Sequence, residues 1–250
     1  MPDPVEVVEA REKTNDKDFF RERVKTMPLL IEWANDEIRD DKEILKTAIS
    51  GDAGALEFAS DRLKADRELA LLAGGKAGWT ACYFTPELKA DKEVIMTAAE
   101  NDGQVLYFAS EELRDDKEVM LEAINNNPEA LEFASDRLKA DREVVYESVS
   151  KVGWTYCYIK ENLLEDKELL LAGLKVSGQI LYFASQEMRD DKEVVMTAVT
   201  NKPIIIKYAS NRLREDKEIG LAAMNKSKKC YEFLGPNLKQ DEEILAILNA

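Results

Sequence analysis

Residues 41–65 read DKEILKTAISGDAGALEFASDRLKA and residues 66–90 read DRELALLAGGKAGWTACYFTPELKA, so the chain repeats itself at an interval of 25 without a gap. The opening Asp-Lys/Arg-Glu returns at Asp91, Asp116, Asp141, Asp166, Asp191 and Asp216, and Asp16 and Asp241 continue the series in variant form. An uninterrupted ladder of this kind is the mark of a repeat array rather than of one globular core.

With each Asp taken as offset zero, offset 3 is apolar (Ile44, Leu69, Val94, Val119, Val144, Leu169) and offset 7 is small (Ala48, Ala73, Ala98, Ala123, Ser148, Gly173). Offsets 3, 4, 7 and 8 form one stripe of an α-helix. The Asp suits the N-cap, where its carboxylate accepts an orphan backbone N–H. The Glu two residues on favours the positive end of the helix dipole. Gly51, Gly75, Asn101, Asn126 and Asn201 supply stop or turn chemistry near offset 10. Asp52, Asp102, Asn127, Ser177 and Ser227 at offset 11 are N-cap candidates for a second helix, and offset 12 is Pro or Gly in most repeats. That helix is expected to run to offset 22 with apolar offsets 15, 18 and 22. Its aromatic column at offset 17 (Trp33, Phe58, Tyr83, Phe108, Phe133, Tyr158, Phe183, Tyr208, Phe233) reads as the spine of the core.

The fold expected is therefore all-α: an α-solenoid of tandem 25-residue helical hairpins, about nine of them plus a terminal helix. Residues 1–15 fall outside the pattern and read as an N-terminal cap or a disordered segment; residues 16–250 read as a single solenoid domain. Such short helices are marginal alone, so stacking of neighbours must supply the core.

Composition narrows function mostly by exclusion. With 35 basic and 50 acidic residues the formal charge is −15, which favours basic partners over nucleic acid or anionic lipid. No histidine is present, which removes Ser-His nucleophilic chemistry and His-ligated zinc. Cys82, Cys157 and Cys230 lack CxxC spacing; Cys82 and Cys157 read as small apolar fillers, in a protein expected to be cytoplasmic. The Asp-Asp-Lys-Glu stretches at Asp40, Asp115 and Asp190 lack the glycine and ligand spacing of a calcium loop, and helix capping accounts for them. No catalytic, cofactor or metal site is expected, and no membrane span.

A second period of 75 lies inside the first. ALEFASDRLKADRE at 55–68 returns at 130–143, GWTACY at 78–83 returns as GWTYCY at 153–158, and GQVLYFAS at 103–110 returns as GQILYFAS at 178–185. From Ile205 the third copy drifts, with Lys229 at the position of Trp154. On a continuous second helix, offsets 13, 16 and 20 share a face opposite the apolar stripe. That face brings Trp79, Tyr107, Trp154 and Tyr182 together with Glu57, Asp61, Glu132 and Asp136. Aromatics among carboxylates suit a basic, extended peptide or protein partner. The other reading is that Trp79 and Trp154, beside Gly78 and Gly153, pack into the preceding turn. An interaction scaffold is the function expected; an acidic inhibitor or nucleic-acid mimic filling a basic cleft is the alternative.

LYFASEELRDDKEVMLEAI at 106–124 and LYFASQEMRDDKEVVMTAV at 181–199 resemble the repeats of the family called domain of unknown function 4116, of approximate form L-x-x-A-S-x-x-L-x-x-D-[KR]-E-V-V-x-x-A-V. The resemblance covers roughly residues 16–250. It implies a helical-repeat architecture and brings no activity or catalytic residue with it. Phe84-Thr85 and Ile159-Lys160 depart from its Ala-Ser. Tetratricopeptide units are too long at 34 residues, and the leucine-rich consensus is missing.

Overall fold

The computed structural model describes residues 5–250, which are helical and turn segments with no strand among them. The fold is an all-α repeat solenoid, and the Asp ladder marks its units. In the repeat that begins at Asp41, an α-helix spans Lys42–Gly51, a 3-10 helix spans Ala53–Phe58, and a one-turn α-helix spans Asp61–Lys64. Asp41 caps the first helix by accepting from the N–H groups of Glu43 and Ile44, as the capping argument requires.

The expected continuous second helix is a correction. It divides in two, because offsets 18 and 19 (Ala59 and Ser60) are extended and Ser60 starts a new helix by accepting from the Leu63 N–H. A 3-10 helix turns every three residues, so offset 13 lies over 16 and offset 15 over 18. Offsets 14, 15 and 18 are thereby turned inward: Ala55, Leu56 and Ala59 are buried in one repeat, and Val105, Leu106 and Ala109 in another. Together with offsets 3, 4, 7, 8 and 22 they make the core.

The aromatic column at offset 17 is consequently not the buried spine expected of it. Its rings are half-buried and Phe183 is 44% exposed. With three residues per turn, offset 17 falls on the flank.

The described residues pack as two compact units, a first that ends at Phe133 and a second that spans Ala134–Ala250. In the first, a helix at Val5–Glu12 packs beside the 3-10 helix Pro28–Trp33, with the Arg11 guanidinium 4.1 Å from the Trp33 ring centre. Residues 1–4 of the expected terminal segment lie outside the described residues.

Adjacent repeats are tied by a ladder of ion pairs that runs through each unit. Within the units the basic residue after the Asp reaches the next repeat's Asp and, in most repeats, its Glu: Lys42 lies 2.8 Å from both Asp66 and Glu68, and Lys92 lies 2.7 Å from both Asp116 and Glu118. In the second unit Lys167 and Lys192 do the same at 2.8 Å. The motif thus caps one helix and clamps it to its neighbour. The helix ends also differ from expectation: no described residue has a positive φ, so Gly and Asn do not act as left-handed caps. Instead Asn101, Asn126 and Asn201 reach back across the repeat boundary and donate to the carbonyls of Gly75, Glu100 and Lys175.

Candidate functional site

Because offsets 13 and 16 are stacked at the outer face of the 3-10 helices, offset 16 is exposed in all nine repeats: Glu32, Glu57, Cys82, Tyr107, Glu132, Cys157, Tyr182, Lys207 and Glu232. Large apolar rings stand in this row or beside it, with Trp79 47% exposed, Tyr107 66%, Trp154 39% and Tyr182 53%. The two readings of the tryptophans are thus both partly met. A Cβ at Gly54 would lie 3.4 Å from the Trp79 ring, so one side of the indole covers that glycine while the rest faces solvent.

The rings form an aromatic frame in each unit. In the first, Trp79 meets Tyr83 at 6.1 Å between ring centres, and Tyr107 touches Phe108 at 5.0 Å and Phe133 at 5.8 Å, all edge to face. In the second, Trp154 meets Tyr158 at 5.4 Å, and Tyr182 touches both Phe183 and Tyr208 at 5.1 Å. Edge-to-face contact holds each ring in place while leaving faces open to a ligand.

The carboxylates assigned to the same face separate. Glu57 and Glu132 are exposed at offset 16. Burial, and then a hydrogen bond to Glu57, push the Tyr83 hydroxyl up to about 12, so Glu57 is tied to the frame. Asp61 and Asp136, at offset 20, are exposed but lie beyond the extended break, Asp61 at the start of the helix Asp61–Lys64 and Asp136 in the turn before Leu138–Ala140. Asp136 pairs with Lys160, which holds its carboxyl below the usual range. Offset 20 left the face when the helix broke at Ala-Ser.

Cys82 and Cys157 are exposed rather than fillers, since offset 16 points outward; Cys230 is the buried one. Asp40 and Asp190 each accept from a serine and an arginine of the next repeat, Ser60 with Arg62 and Ser210 with Arg212. No group of three or more acidic or cysteine side chains among the described residues is arranged to hold a metal.

Four consecutive matches to the family model described as Domain of unknown function (DUF4116) cover residues 42–89, 91–139, 141–189 and 191–245. The chain belongs to this family. Each DUF4116 match spans two of the 25-residue repeats, so the Asp ladder subdivides the family's unit. No curated protein and no solved structure matches the chain. No helix among the described residues is long and apolar enough to cross a membrane.

What sequence reasoning missed is a difference in charge between the two frames. The first unit holds 17 basic and 31 acidic residues, net −14; the second holds 18 and 19, net −1. Counting charge by halves would have found it, because the two units hold almost equal numbers of basic residues and differ mainly in carboxylates, 31 against 19.

Proposed function

We propose that this DUF4116 protein is a non-enzymatic interaction scaffold, cytoplasmic in setting, and that its first unit holds a basic, extended peptide along the offset-13 and offset-16 row. The single observation that supports this most is the coincidence, in one unit, of exposed Trp79 and Tyr107 with a charge of −14. Lysine or arginine side chains of a ligand would lie over the ring faces, and Glu57 and Glu132 would meet their charge. A rigid frame reduces the ordering cost of binding on the protein's side.

The test is a fluorescence-anisotropy titration of the full chain with a labelled lysine- and leucine-containing peptide. Trp79→Ala with Tyr107→Ala should weaken binding at least about tenfold, equivalent to about 1.4 kcal/mol, with an unchanged helical melt. Unchanged affinity in a folded double variant defeats the proposal. If these substitutions unfold the protein, the rings serve packing and the site assignment fails.

A second reading, an acidic mimic filling a basic cleft, also draws on the −14 of the first unit. It loses ground because carboxylates at offsets 0 and 2, such as Asp66 and Glu68, are engaged by Lys42 in the ladder. Affinity for such a target that stays flat as salt rises would exclude it.

A further inference from the structure

We infer that the second unit carries its own groove for a partner of the opposite sign: a short, extended acidic peptide that presents an apolar side chain between carboxylates. The groove encloses about 310 Å³, with Tyr182, Phe183, Ile205 and Tyr208 among its walls and Lys202 and Lys207 at its rim. No carboxylate lines it. Lys207 stands 4.7 Å from the centre of the Tyr208 ring, and neither rim lysine forms an ion pair. A second groove of about 380 Å³ shares Tyr208 and is lined by Arg189, again with no carboxylate. The two grooves, joined at Tyr208, give an extended ligand an apolar wall in the first, polar side chains in the second, and cations beside both.

The duplication supplies the control. Moved back by 75 residues, Tyr182, Phe183 and Tyr208 become Tyr107, Phe108 and Phe133, so the ring frame is retained. The rim is not. Lys202, Ile204 and Lys207 correspond to Asn127, Glu129 and Glu132, so two acidic positions and one neutral position became one apolar and two cationic ones. The same frame with inverted charge selects the inverted ligand, since like charges opposite one another are a principal means of rejecting a wrong partner.

A polynucleotide also combines negative charge with groups that stack on rings. It would, however, extend its repulsion over a chain of net charge −15, whereas two or three carboxylates of a peptide need only the local rim. The inference uses no residue of the first unit, where the basic peptide is placed, so either can fail alone.

The experiment is an anisotropy titration of the full chain with three labelled probes: an octapeptide alternating Glu with Leu and Phe, the same peptide with Lys for Glu, and an eight-nucleotide single strand. The acidic peptide should bind, and Lys202→Asn with Lys207→Glu should weaken it about tenfold, the effect of two exposed ion pairs at the upper end of their usual range. Tyr182→Ala should weaken it as well. Trp79→Ala with Tyr107→Ala should leave it unchanged, which separates this groove from the first unit's row. Acidic-peptide binding that survives the charge reversal overturns the inference, as does failure of the acidic peptide to bind wild type. Tighter binding of the oligonucleotide overturns it in favour of nucleic acid, and a wild-type dimer abolished by the reversal overturns it in favour of a second copy of the chain.

Discussion

Residues 78–88 and 153–163 are copies 75 apart, and they fill the same place in their units with different side chains. In the first, Phe84 is buried, Ala81 leaves room, and the ring approaches Gly74, where a Cβ would sit 3.4 Å from it. In the second, Tyr156 occupies the position of Ala81 and is 1% exposed, Val149 replaces Gly74, and the residue at the position of Phe84 is Ile159. The Tyr156 hydroxyl donates to the Leu164 carbonyl at 3.2 Å, and burial pushes its pKa upward. Val, Tyr and Ile stand in the second copy where Gly, Ala and Phe stand in the first, so these inward positions were exchanged together and the second copy carries the larger side chains. The outer face followed another rule: the rings were kept and the charges changed. The lesson is that the inward positions changed in side-chain size while staying uncharged, and the outward positions changed in charge while keeping their rings.

The strongest way to break that comparison is to move volume in one copy alone. Tyr156→Ala removes a fully buried aromatic and should destabilise the second unit by about 3–5 kcal/mol. Ala81→Tyr overfills the first copy at about 1–3 kcal/mol. Combined with Phe84→Ile, which takes side-chain volume out of the same repeat, that cost should shrink; urea unfolding of the single and double variants measures it. A double variant no more stable than Ala81→Tyr would show that the room does not come from Phe84.

A smaller effect should be equal in both copies. A Cβ at Gly103 would lie 2.4 Å from the Ala123 carbonyl oxygen, and one at Gly178 would lie 2.6 Å from that of Ala198. Each glycine lets the next repeat's helix approach, so Gly103→Ala and Gly178→Ala should each cost about 1–3 kcal/mol. Thermal melts that differ widely between the two would show that the copies are spaced differently.

The smallest effect belongs to the ladder, and there the first unit has something the second lacks. Hydrogen bonds from Lys42 and Lys46 hold the Glu68 carboxyl down from 4.5 to about 2. Offset 5 is Lys only at Lys46; it is Arg21 in the repeat before and apolar or aromatic in those after, as at Leu121 and Met196. A lowered carboxylate pKa contributes stability above the unfolded value, and that stability is lost as pH falls through the folded one. The urea midpoint should therefore decline from pH 4.5 towards 2, and Lys46→Met should flatten that decline. Because Glu68 is half exposed, added salt should shrink the effect. A midpoint indifferent to Lys46→Met across this range would show that Lys46 contributes nothing to the clamp.

The repeat, its helical class and the inward offsets 3, 7, 15, 18 and 22 were legible because they depend on period and polarity alone. The broken second helix was not. Ala59-Ser60 is compatible with a continuing helix, and only the packed structure shows Ser60 turning to cap Leu63. That single break explains why Asp61 and Asp136, grouped with Trp79, Tyr107, Trp154 and Tyr182 on one continuous helix, lie beyond the extended segment. The sequence left the tryptophans open between an exposed row and packing into the preceding turn, and co-location required knowing the number of residues per turn. The ladder was missed for another reason. The Asp-Lys-Glu triplet was explained fully by capping, and a motif that satisfies one role hides a second whose partner lies 24 and 26 residues away, as Asp66 and Glu68 do from Lys42.

The cross-repeat clamp of Lys or Arg to Asp and Glu also makes the length of such a chain a free parameter. Within a unit, modules such as those that open at Asp66, Asp91, Asp166 and Asp191 offer a successor a Lys or Arg and present a predecessor with an Asp and a Glu, so a whole module can be copied or lost and the joint that remains still finds its counterpart. A gain of one residue has no such freedom, because it would move the cation of one joint out of step with the anions of the next. Unequal exchange in multiples of the module is thereby tolerated and slippage by less is not, which is consistent with the absence of any insertion between Asp16 and Asp241.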